Sequence, residues 1–120
     1  MLRPELPIEL VYLHRAPIDL RKQRFGLAAL VQEVLKQDPF SSSVCLFIGT
    51  RRDRIKALWW GRDGFVVWYK VIEGGEKFSW SRHVDAESIT LQPEQLQWLL
   101  EGYDVWKMKP HRSLHFSHVN

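Results

Sequence analysis

The feature that most constrains this fold is a pair of runs, residues 54–60 and 65–72, set around Gly61-Arg62-Asp63-Gly64. Both runs are rich in β-branched and aromatic residues. A short loop with glycine at each end joins such runs as an antiparallel hairpin. If Trp60 and Phe65 close the loop, Leu58 faces Val67, Lys56 faces Tyr69 and Arg54 faces Val71. Strand alternation then places these eight side chains on one face. The other face carries Trp59, Val66, Ala57, Trp68, Ile55 and Lys70. The first face, to which a following strand would add Phe78 and Trp80, is apolar except at Arg54 and Lys56, so it is expected to be the core side. The second mixes rings with Lys70, and with Lys77 and Ser79 from a following strand, so it is expected to be wet.

The remaining elements follow from periodicity. Leu10 to Leu13 form a short apolar run that Pro17 ends. Leu27, Leu30, Val31, Val34 and Leu35 recur with the spacing of an amphipathic helix, which Asp38-Pro39 terminates. Val44 to Ile48 read as a strand, and Gly74-Gly75 turns the chain into a fourth, Lys77 to Trp80. A second helix begins at Pro93, with Leu96, Leu99, Leu100 and Tyr103 as its stripe and Gly102 as its stop. The expected fold is therefore α+β: an antiparallel β-meander of about four to five strands with two amphipathic helices. Residues 1–106 form one domain, and 107–120 form a polar, histidine-rich flexible tail.

Composition narrows the function. The net charge is +3 and the sequence pI about 9.2, which permits an anionic partner without demanding one. Most of the excess is local, because between Arg51 and Arg62 the five cations Arg51, Arg52, Arg54, Lys56 and Arg62 stand against the single Asp53. The lone Cys45 lies between Val44 and Leu46, so it reads as an inert core thiol. No signal peptide and no apolar run of membrane-spanning length is evident, which makes the cytoplasm the expected compartment and excludes a membrane partner.

Catalytic patterns are weak. There is no phosphate-binding loop of the Walker type, no dinucleotide fingerprint, no Gly-x-Ser-x-Gly elbow and no paired-cysteine metal motif. Gly61 to Gly64 reads as a turn. His111, His115 and His118 lack a nearby acidic or cysteine ligand, and neither His14 nor His83 has an evident nucleophile. The carboxylates read as turn chemistry or local counterions: Asp19 for Arg21, Asp53 for Arg51 or Arg54. A metal-dependent nuclease would instead need Asp19, Asp53, Asp63 and Asp85 to converge. No cofactor or metal is expected, nor is an enzyme.

Cations and flat rings together suit nucleic acid, because cations neutralise phosphates and rings stack on bases. The candidate nucleic-acid contacts are Arg51, Arg52, Arg54, Lys56, Arg62, Trp59, Trp68, Lys70, Arg21 and Lys22. Here the arginines would take phosphates and Trp59 or Trp68 would supply flat area. A further basic group, Lys107, Lys109 and Arg112, lies in the tail. Two other readings stand beside this one. A helix could cover Trp59 and Trp68, or those rings could dock a protein instead of DNA.

Several segments resemble a known family in order along the chain. Asp19-Leu20-Arg21-Lys22 and Gly26-Leu27-Ala28-Ala29-Leu30-Val31 are similar to its Asp-Met-Arg-Lys and Gly-Leu-Ala-Ala-Leu-Val opening. Leu46-Phe47, the arginine turn, Asp53-Arg54-Ile55-Lys56-Ala57-Leu58-Trp59-Trp60, Asp63-Gly64-Phe65 and Lys70 match its centre, and Leu99-Leu100-Glu101-Gly102 its closing helix. The family is the small TnpB-type accessory protein of insertion sequence 66 elements. Leu20, Gln23-Arg24-Phe25 and Gln92 depart from its usual residues. The resemblance implies a non-catalytic role in DNA transposition in bacteria. Strand cutting would belong to a separate transposase, and the expected partners are element DNA and that transposase; the alternative is a module that bridges transposase subunits without DNA contact.

Overall fold

The computed structural model describes residues 8–80 and 88–105. In chain order the elements are β1 (Leu10–His14), α1 (Arg24–Glu33), β2 (Ser43–Ile48), β3 (Arg54–Trp60), β4 (Phe65–Val71), β5 (Ser88–Leu91) and α2 (Pro93–Leu100). The strands form one sheet in the order β4-β3-β2-β1-β5. All neighbours are antiparallel except β1 and β2, which run parallel. A parallel pair needs a crossover, and the segment carrying α1 supplies it. The chain is thus α+β, as its patterning suggested.

The β3–β4 register is the one that loop closure implied, running from Trp60↔Phe65 to Arg54↔Val71. The loop is tight, with the Gly61 N–H donating to the Gly64 carbonyl over 2.7 Å. A side chain on Gly61 would come within 2.9 Å of a Val66 methyl, so glycine is required there by close approach.

Two apolar clusters lie on opposite faces of the sheet. On the α1 face, Leu27, Ala28, Val31 and Leu35 pack with Cys45, Phe47 and Leu58. On the α2 face, Leu96, Leu99 and Leu100 join Val11, Leu13, Val44, Leu46, Ile48, Ile55 and Ala57. Strand β2 is buried along its whole length because both faces are covered, which explains its unbroken apolar sequence. Burial pushes the Cys45 thiol up to about 12, which keeps it protonated and unreactive.

Helix α2 shows how local sequence sets an element. Pro93 opens it, and the Gln92 N–H donates to the Gln95 side chain over 2.8 Å. Gly102, at φ 101°, closes it. The N–H groups of Gly102 and Tyr103 return to the carbonyls of Leu99 and Trp98, so the last turn is satisfied by the backbone itself. Tyr103 falls outside the apolar stripe and is exposed.

Three expectations are corrected. Residues 77–80 are not a strand. Gly74 and Gly75, both at φ 80°, turn the chain away from β4, and the Phe78 N–H goes to the Arg52 carbonyl instead. Phe78 and Trp80 are buried, but in the α2-side cluster and not with Trp60 and Phe65. Second, β1 is no optional extension: it lies between β2 and β5, and β5 itself carried no recognised strand signal. Third, the hairpin face expected to be wet is a core face. Ile55 and Ala57 there are fully buried, whereas Val67 and Tyr69 on the expected core face are exposed. The tail residues 107–120, with their histidines and basic group, lie outside the described residues, as do His83 and Asp85.

Candidate nucleic-acid interface

Among the described residues, cations from two loops meet at one cleft. Just after β1, Ile18 forms a parallel bridge with Gly49, and its N–H donates to the Ile48 carbonyl over 2.9 Å. This clip holds the Asp19–Lys22 segment beside the arginine turn that follows β2. The turn is itself tied down: the Arg52 N–H returns to the Gly49 carbonyl and the Gly49 N–H to the Arg54 carbonyl. The Ile72 N–H caps the Asp53 carbonyl over 2.7 Å. Arg52 sits in the left-handed region at φ 63°, which makes the bend without glycine. Arg51 is therefore presented from a braced loop.

Between these segments opens a cleft of about 430 Å³ lined by Ile18, Asp19, Leu20, Arg21, Gly49, Thr50, Arg51, Arg54 and Tyr69. Gly49 sits at the junction. A β-carbon there would lie 3.1 Å from Arg54 Cγ and 3.2 Å from Leu20 Cδ1, so the walls approach this closely because the residue has no side chain.

Three guanidiniums face one carboxylate among the lining residues. Asp19 binds Arg21 through both carboxylate oxygens, with the closest contact at 2.5 Å, and also accepts the Arg21 backbone N–H. Those bonds hold the Asp19 carboxyl down at about 2. Behind the cleft, Asp53 pairs with Arg54 over 3.1 Å and is lowered for the same reason. Both carboxylates are thus the local counterions their spacing suggested, with Arg54 the partner of Asp53. Arg51 is exposed and makes no ion pair among the described residues. Lys56 reaches the Lys22 carbonyl over 2.9 Å, and its ammonium lies 5.5 Å from the centre of the Tyr69 ring. Tyr69 is 48% exposed, and its hydroxyl is 3.5 Å from Arg54.

The ten sequence candidates divide by location. Arg21, Arg51 and Arg54 line the cleft, with Lys22 and Lys56 beside it. Arg52 does not line the cleft; its N–H donates to the Gly49 carbonyl and its carbonyl accepts from the Phe78 N–H. Arg62 stands at the far end of the hairpin, at φ 66° in the Gly61–Gly64 loop. Trp59, Trp68 and Lys70 are on the opposite face. The two rings are half-buried against the α2-side cluster, and Lys70 donates to the Leu100 carbonyl over 3.1 Å, where a cation complements the end of α2. The structure thus does not bring Trp59 or Trp68 to the arginines. The ring that shares their cleft is Tyr69. Its signal was the register, which set it directly opposite Lys56 and on the face of Arg54.

Among the described residues no group of three His, Cys, Asp or Glu side chains is gathered as a metal site requires. No helix among them is long and apolar enough to cross a membrane.

These features define a small α+β domain: a mixed sheet between two helices, with a cation-lined cleft at one corner. The family model described as IS66 Orf2 like protein matches residues 9–110, and the chain belongs to that family. Two proteins of Sinorhizobium fredii are similar to it. Uncharacterized protein y4jC is 31% identical over 93 residues, covering 78% of each chain. Uncharacterized protein y4hO is 31% identical over 97 residues, covering 81% of this chain and 82% of its own. No solved structure matches. As a family member the protein is an accessory protein of an insertion element.

Proposed function

We propose that this protein assists transposition by binding element DNA at the Arg21–Arg51–Arg54 cleft, without catalysing strand chemistry itself. One observation carries the reading: cations from two separate chain segments are clipped into a single cleft whose lining carboxylate is already paired. Such a surface attracts a polyanion mainly through charge. Replacing Arg51 and Arg54 together by alanine is expected to weaken DNA binding and to flatten its salt dependence by about one unit of slope per charge removed. Fluorescence anisotropy across a salt series measures both. An unchanged affinity and slope would remove the assignment.

A second reading has its own support. Strand β4 is at the sheet edge, with Val66 and Val67 exposed, and an apolar edge strand is a surface on which another chain can add. Under this reading the partner is the transposase encoded by the same element. Val67→Gln, which adds no charge, should then weaken capture of the transposase while leaving DNA affinity unchanged.

A further inference from the structure

The cleft has a shape as well as a charge. It is a concavity of about 430 Å³, within the range of a small-ligand site and too small for stacked base pairs. One wall carries a half-exposed aromatic ring, Tyr69, and the rim carries the exposed Arg51. Arg54 is anchored by Asp53, and its guanidinium also reaches the Tyr69 hydroxyl. A duplex laid across this corner would touch the rim cations and leave the ring unused. An unpaired nucleotide would use both, because its base is free to stack and its phosphate stays attached beside it.

We infer that the cleft takes one unpaired nucleotide of DNA, its base on the Tyr69 ring and its phosphate on Arg51 and Arg54. This rests on the DNA-binding reading above and specifies which form of DNA the site selects. Arg21 contributes less, since Asp19 already occupies its guanidinium. Thr50 and the Gly49 backbone line the same cleft and are positioned to meet the sugar or base edge.

The test uses the full chain with three labelled probes of equal length: oligothymidylate, a DNA duplex and oligouridylate. Oligothymidylate is expected to bind most tightly. Tyr69→Ala should weaken it by roughly tenfold, the scale of one lost base–aromatic stack, with little change for the duplex. Tyr69→Phe should preserve binding, because the ring and not the hydroxyl makes the stack. Tyr103→Ala, which removes an exposed ring on α2's far end, should be silent. Far-ultraviolet circular dichroism establishes that each variant is folded. Equal binding of single strand and duplex, or a single-strand preference that survives Tyr69→Ala, would overturn this inference while leaving DNA binding intact. Tighter binding of the uridylate would overturn the choice of DNA. Binding of none of the probes would overturn the DNA reading itself.

Discussion

The two faces of one hairpin had opposite fates. On the α2 face, Trp59 and Trp68 lie half-buried against the cluster that Phe78, Trp80 and helix α2 close as a lid, and Lys70 donates to the helix end. On the α1 face, helix α1 covers β2 and Leu58 of β3 but leaves the outer part of β4 open, so Val67 and Tyr69 meet solvent. The same strands present Trp59 and Trp68 to one side, and Trp60, Phe65 and Tyr69 to the other, with Arg54 beside the tyrosine. The face that carries Trp59 and Trp68 is the structural one. Ring content alone therefore does not locate a binding surface. What decides is which segment folds back over the ring.

The largest effect should come from opening the lid. Trp80 is nearly fully buried and donates from Nε1 to the Arg15 carbonyl over 3.0 Å. Trp80→Ala is expected to cost about 3–5 kcal/mol in urea unfolding, against about 1 kcal/mol or less for Tyr69→Ala. Comparable losses at the two positions would erase the distinction between the faces. Gly49→Ala should come next, at about 1 kcal/mol, because Leu20 and Arg54 must each give way by a few tenths of an ångström. That variant should also lower DNA affinity by moving a cleft wall, and wild-type affinity would show that the junction does not shape the site.

The smallest effect concerns charge alone. Asp19→Asn releases Arg21 from its partner and should tighten DNA binding by a few fold at low salt. Its folded carboxyl titrates lower than the ordinary value of 3.8, so whatever the pair contributes is present above that value and is lost as pH falls toward about 2. Binding assayed between pH 5 and 8 should accordingly show no titration from Asp19.

Much of the fold was legible because it is local. The Gly61–Gly64 loop specified the hairpin register, since a closing pair at Trp60 and Phe65 leaves alternation no freedom. The spacing of Leu27, Leu30 and Val31 marked α1, and Pro93 and Gly102 bounded α2. Less of the candidate site was legible. Arg21, Arg51 and Arg54 stood out as cations, but their meeting depends on a backbone bridge between Ile18 and Gly49 that no periodicity announces. Tyr69 was on the right face of the register and was assigned to a core that does not extend over it. Phe78 and Trp80 looked like a strand because they alternate, yet alternation records only that both point the same way.

The sequence by itself determined what is encoded within a few residues: turns, helix ends, strand register, and which side chains share a face. Tertiary structure alone decided which face was covered, where β1 and β5 entered the sheet, and which ring joined the arginines. The physical reason is that burial is a property of pairs of surfaces. A strand states which residues lie together, but only the segment packed against it decides whether they become core or cleft.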